Sequence, residues 1–146
     1  MNGHRNLGVW NLAGDLVREV YAVVRSLPRD EQIAVATQLK RAAWSVQNNI
    51  AEGVARRGRA ELRRFVEISL SSLAEVDSMI ATLDTVCALE PDRVTRINTL
   101  RRQITAGELS LCQRRPYRRA SRPAPTGSIP DEPPATPLTP SQEIVP

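Results

Sequence analysis

Residues 38–53 read QLKRAAWSVQNNIAEG. Leu39, Ala43, Val46 and Ile50 recur by threes and fours, which is the period of a helix with one apolar seam. Gln38, Arg41, Asn49 and Glu52 stand on or beside that seam. Burying such groups costs free energy unless each is paired, so this helix carries more than an ordinary core face. Gly53 follows the seam as a natural C′ residue, free to take positive φ. Upstream, Ala36 extends the stripe. Asp30 and Glu31 fall in the first turn near Arg29, where their charge suits the positive end of the helix dipole.

Three other segments carry the helical period, and none alternates like a strand. Before Pro28, which ends the first helix, Trp10, Ala13, Val17, Val20, Val24 and Leu27 form a stripe. Val9, Leu12, Leu16 and Val23 widen it, so that helix is expected to be covered on more than one side. A third helix is predicted from about Arg59 to Leu89. Its seam is Leu62, Val66, Ser69, Leu73, Val76, Ile80, Leu83 and Cys87, an unbroken alternation of four and three. Such a repeat favours left-handed packing at shallow angles. Pro91 suits the first turn of a fourth helix, with Val94, Ile97, Leu100, Ile104 and Leu111 as its seam. Gly107 stands where an apolar residue belongs, at a cost of about 1 kcal/mol relative to Ala, so fraying is expected after Ala106. Short loops make sequential helices antiparallel neighbours. The reading for residues 1–112 is therefore an all-α, up-down-up-down antiparallel four-helix bundle.

Residues 113–146 differ. Nine of the chain's 11 prolines lie there, and the apolar residues are scattered. Such a segment buries too little surface to offset its ordering entropy, so a disordered Pro/Arg-rich tail is expected. Its first part, QRRPYRRASR, holds five arginines and no acid.

The chain has one Phe, two Trp and two Tyr, so its core must be aliphatic. The net charge is +4, and 19 of the 20 basic residues are Arg. A genome rich in G and C is one cause. A demand for the planar guanidinium, which suits phosphate and carboxylate, is the other. The opening MNGHRNLGVW lacks the run of roughly 7–15 apolar residues of a secretion signal. No window approaches the ~20 apolar residues of a membrane span. A cytoplasmic protein with no membrane partner is expected. If helices three and four turn near Glu90–Pro91, Cys87 and Cys112 lie about 27 Å apart at ~1.5 Å per residue. A disulfide needs less than about 7 Å between Cα atoms, so two free thiols are expected.

From about Leu7 to the fourth helix, the chain resembles the four-helix bundle family first met as open reading frames in intervening sequences of bacterial 23S rRNA. Leu7, Val9, Trp10, Ala13 and Leu16 look like its opening. Gln38, Arg41-Ala42-Ala43, Ser45-Val46 and Asn49-Ile50-Ala51-Glu52-Gly53 with Arg56 fit its signature. Glu61, Phe65, Ile68, Ser72-Leu73 and Glu75 resemble its third-helix motif. Gln47 stands where a proline is usual, and Ser69 and Ser71 where Ala and Gly are. Family members are similar to the accessory protein of diversity-generating retroelements, a pentameric barrel that works with a reverse transcriptase and RNA. The resemblance thus implies a homo-oligomer, a pentamer first, with RNA, DNA or a reverse transcriptase as partner.

Two groups of residues invite a functional reading. With a hairpin turning near residue 55, Gln38 faces about residue 73 and Arg41 about residue 70. Glu75 then lies within reach of both. Gln38, Arg41, Asn49, Glu52 and Glu75 form either a polar network that fixes register and assembly or a ligand pocket. Glu52 meets the negative end of its helix dipole, so a partner is expected, with Arg56 and Arg63 as candidates, or a solvated acid beside a turn. The second group is Arg56, Arg57, Arg59, Arg63 and Arg64, with only Glu61 among them. Those opening the third helix meet a dipole of like sign, which leaves room for phosphate. The alternative is a solvated face with Arg63–Glu67 and Arg64–Glu67 surface pairs. Arg114, Arg115, Arg118, Arg119 and Arg122 of the tail carry the same two readings.

Enzyme readings find little support. His4 is the one histidine, which removes di-iron Glu-x-x-His pairs, a His-bearing zinc site and an Arg-x₄-His nuclease. No phosphate-binding Gly-Lys loop occurs, and Ser45 and Ser72 have no base beside them in sequence. Paired carboxylate chemistry is left to Glu52 and Glu75, whose separation of about two turns along the bundle disfavours it. No catalytic residue, metal or cofactor is assigned.

Overall fold

The computed structural model describes residues 4–113. Four helices follow one another: α1 (Gly8–Ser26), α2 (Arg29–Ala55), α3 (Arg59–Cys87) and α4 (Pro91–Gln113). Each packs mainly on two neighbours, α1 on α2 and α4, and α3 on α2 and α4. Gln38 meets Glu75 while Val46 meets Ser69, so α2 and α3 run in opposite directions. Glu19 meets Arg93 while Val9 meets Gly107, and α1 and α4 do the same.

The core is aliphatic. Leu16, Val20, Val23, Leu39, Val46, Ile50, Val76, Ile97 and Ile104 are almost wholly removed from water. The broad stripe of α1 is used inside the bundle, because that helix packs on both α2 and α4. The seam of α3 is buried from Val66 through Leu83, including Ser69, with Leu62 and Cys87 half-buried at its ends. Ala88 ends α3 in the left-handed conformation at φ 50°. Gln32 reaches back to donate its side-chain amide to the carbonyl of Leu27 at 2.8 Å, which closes the α1–α2 turn.

Two glycines act differently from the sequence expectation. Gly53 is not a C′ residue. It is buried inside α2, and a Cβ there would lie 2.9 Å from Phe65 Cβ and 3.3 Å from Leu62 Cδ1 on α3. The positive φ falls on Gly58, at 103°, in the α2–α3 turn. Helix α4 does not end at Ala106 but continues to Gln113. A Cβ on Gly107 would meet Val9 Cβ at 2.8 Å. The missing side chain lets α1 approach, and that contact offsets the poor helix propensity of glycine.

Gly53→Ala and Gly107→Ala each improve helix propensity yet place a methyl group against a fixed Cβ. Overpacking of this kind costs about 1–3 kcal/mol. Both variants are expected to unfold at lower urea concentration than the parent. An unchanged or raised midpoint would show that these helices do not touch at the glycines.

Candidate functional site

The turn between α2 and α3 gathers the first arginine group at one end of the bundle. Arg56, Arg57, Arg59, Arg63 and Arg64 are all exposed. Arg56 pairs with Glu52 one turn back, and that pairing raises its guanidinium above the ordinary arginine pKa. Arg64 pairs with Glu61 at 3.5 Å rather than with Glu67. The guanidiniums of Arg56 and Arg64 lie 5.5 Å and 4.6 Å from the centre of the Phe65 ring, a cation–π arrangement that holds both near the turn. Arg59 donates to the carbonyl of Cys112 at 2.9 Å, which ties the start of α3 to the last turn of α4. Arg57 and Arg63 form no ion pair among the described residues, so the expected Arg63–Glu67 pair is absent there. The end therefore presents five guanidiniums against Glu52, Glu61 and exposed Glu67. Arg114, Arg115, Arg118, Arg119 and Arg122 lie outside the described residues, as does the tail; α4 reaches Gln113 at this same end.

The polar residues of α2 do not form one network in the single chain. The side-chain amide of Gln38 donates to Glu75, at the register expected for the hairpin. Arg41 is exposed and takes no part: among the described residues it has no ion pair, so an Arg41–Glu75 bridge is not formed. The reason is direction, since Arg41 points off the outer face of α2 while Gln38 points into the α2–α3 groove. Asn49 donates to the Ser45 carbonyl at 2.7 Å and its hydroxyl at 3.0 Å. The Ser45 and Ser72 hydroxyls are 2.8 Å apart across the groove. Buried Gln47, where the family resemblance expects proline, donates to the Trp10 carbonyl at 3.4 Å.

One buried acid was missed by sequence reading. Glu108 on α4 has no exposed surface, and neither carboxylate oxygen has a hydrogen-bond partner among the described residues. From Ile104 a step of three reaches Gly107 and a step of four reaches Glu108, so the period admits either, and the sequence reading gave the seam to the glycine. Burial raises the Glu108 pKa to about 7. Ser69 gives its proton to the Val46 carbonyl at 3.1 Å, so it is no donor for an ionised Glu108. Cys112, one turn on, is a free thiol that burial pushes up in pKa, opposed first by Arg63. Cys87 is also free. His4 packs edge-on against Trp10, 5.2 Å between ring centres. Among the described residues no three His, Cys, Asp or Glu side chains converge as a metal site requires, and no helix is long and apolar enough to cross a membrane.

The described residues form an aliphatic four-helix bundle with a guanidinium-bearing end and shallow polar pairs along α2–α3. Its family can be stated. Residues 5–106 match the model of the 23S rRNA-intervening sequence proteins, and the chain is a member of that family. No curated protein matched the chain by sequence.

The buried Glu108 sets a pH dependence. Its folded-state pKa is raised, so the folded chain holds the proton more tightly than the unfolded one. Stability is then fully present below about pH 4.5 and is lost as pH rises to about 7. The shift corresponds to about 3 kcal/mol at most. Glu108→Gln keeps the shape and removes the charge. It is expected to flatten the profile, raising stability near pH 8 by about 1–3 kcal/mol with little change near pH 4. Equal urea midpoints for the two proteins near pH 8 would place Glu108 in water.

Proposed function

We propose that this protein is a non-enzymatic, oligomeric scaffold that binds RNA through the arginine-bearing end of its bundle, alone or together with a nucleic-acid enzyme such as a reverse transcriptase. The observation that carries the reading is the concentration of Arg56, Arg57, Arg59, Arg63 and Arg64 at one end with only Glu61 among them in the chain. Membership of a family named for an rRNA intervening sequence supports it. Arg57 and Arg63 are free of ion pairs among the described residues and so are the first to meet phosphate. Arg59 is already oriented by the Cys112 carbonyl. Assembly of several copies would repeat the cluster and multiply its effect, because linked sites bind with an avidity above that of each alone.

Phosphate binding releases counterions, so affinity should fall steeply with salt. Engagement of six or more phosphates predicts a loss of roughly 10³-fold or more between about 50 and 200 mM salt. Replacing Arg57, Arg59, Arg63 and Arg64 by Ser should reduce the salt slope and weaken binding equally for unrelated RNAs, since phosphate contacts carry no sequence information. Retention of labelled RNA on filters checks both. Wild-type protein that retains no RNA at low salt, with its oligomer intact, would instead identify a protein-binding scaffold.

A further inference from the structure

Glu108 is an acid placed where the described residues give it nothing to bind. It has no exposed surface, and neither carboxylate oxygen has a hydrogen-bond partner there. From α1, Val9 lies against the preceding Gly107. From α3, Ser69 gives its proton to the Val46 carbonyl of α2. The ionisable groups of this end stand elsewhere. Arg59, Arg63 and Glu67 of α3 are exposed around Cys112, one turn further along α4. Glu52 and Arg56 pair with each other at the end of α2. His4, ahead of α1, packs on Trp10, and exposed Arg5 follows it in the chain.

The segment that carries Glu108 is also easily parted from the bundle. Gly107 stands directly before it, and glycine is the residue least suited to a helix interior after proline. Beyond Glu108, α4 runs only to Gln113, about one and a half turns. Leu109 is 49% exposed, and Leu111 packs partly on the core. One polar tie crosses to another helix: Arg59 donates to the Cys112 carbonyl at 2.9 Å. Helix ends held by so few contacts open at lower cost than the whole fold. Ile97 and Ile104, further up α4, are almost wholly buried and anchor the rest of the helix.

We propose that residues 107–113 are a latch worked by the proton on Glu108: docked while the carboxyl is neutral, the segment swings off the bundle at Gly107 when the carboxyl ionises, and it releases Arg59 as it goes. A carboxylate without a donor is costly to bury, and Glu108 reaches water by unwinding the end of α4 alone. The docked form holds the proton more tightly than the open one, because burial has drawn the Glu108 pKa up to about 7. Docking is therefore complete at low pH and is lost as pH rises through about 7. The fraying expected after Ala106 is then a property of the ionised form. Opening frees the Arg59 guanidinium from the Cys112 carbonyl and brings a carboxylate out on the side of Arg59 and Arg63. The charge that the arginine end presents thus changes with pH. The latch needs no RNA, so it stands or falls apart from the function proposed above.

Amide hydrogen exchange on the full-length chain tests it, read as protection factors so that the intrinsic pH dependence of exchange drops out. Between about pH 5.5 and about pH 8, protection of residues 108–113 should fall about tenfold or more. At the higher pH it should also lie about tenfold or more below that of residues 94–104 of the same helix. Glu108→Gln keeps the shape without the charge and should hold the low-pH protection of residues 108–113 throughout. Arg59→Met should lower that protection about fivefold at both pH values, as expected for the loss of one hydrogen bond. The proposal is overturned if wild-type protection of residues 108–113 does not change with pH, or if residues 94–104 are no better protected than they are at about pH 8, which would make the opening global. An equal fall in Glu108→Gln would assign the pH dependence to another group and overturn it too. No effect of Arg59→Met would take Arg59 out of the latch and refute its release. The wild-type comparison decides even where a variant does not fold.

Discussion

At the arginine end of the bundle the helices come as close as their backbones allow, because Gly53 and Gly107 present no Cβ to Phe65 and Val9. Gly14 adds a third such point, where a Cβ would lie 2.8 Å from Gln47 Nε2. All three lie in the same half of the bundle. The opposite half is held by Val and Leu side chains of ordinary size, such as Val20, Val23 and Leu39. Close approach matters at this end because like charges gather there. Five arginines within nine residues of chain repel one another, and packing must offset that repulsion. Phe65 serves both needs. Its Cβ lies against Gly53, while its ring lies beneath two guanidiniums.

The same tight packing explains why Glu108 is so constrained. It follows Gly107 directly, so the approach of Val9 fixes the rotation of α4 at this point. The next residue is then turned towards Ser69, whose hydroxyl is already given away to Val46. A carboxyl in that position is more easily kept neutral than ionised. A buried acid without a donor is a weak point in the half of the molecule that carries the arginines. The end bearing the proposed RNA contacts is therefore also the end whose stability responds to pH near neutrality.

Most of the fold was legible in the sequence because the α3 seam keeps its alternation of four and three without a break, and because Pro28 and Pro91 mark the first and last turns. The register of α2 against α3 was legible as well, to about two residues, as the Gln38–Glu75 contact shows. What was not legible shares a cause. Gly53, Gly107 and Glu108 are decided by how near a neighbouring helix comes, and a single-helix period carries no such information. Gly107 and Glu108 are about 100° apart around α4. A weakly patterned helix cannot say which of them faces inward. Arg41 failed for a different reason: two residues from both Leu39 and Ala43, it stands about 160° or more round α2 from the seam, so the period itself places it on the outer face where the structure leaves it exposed.

The polar residues of α2 gain a consistent meaning once the bundle is viewed as a building block. In one chain they make only local or shallow contacts: Gln38 to Glu75, Asn49 to Ser45, Glu52 to Arg56. None of these requires so polar a helix, since exposed pairs contribute little to stability. A helix that also met a neighbouring copy in the proposed oligomer would be under a different demand, since it would have to tolerate water in the free chain and still match that neighbour. Small hydroxyls such as Ser45 and Ser72 let another surface approach the α2–α3 groove, and the amides of Gln38 and Asn49 can exchange partners without leaving a charge buried. In the proposed oligomer an arrangement of that kind would supply specificity rather than adhesion. It would also keep the arginine ends in register, which is what a scaffold needs if several weak phosphate contacts are to act as one.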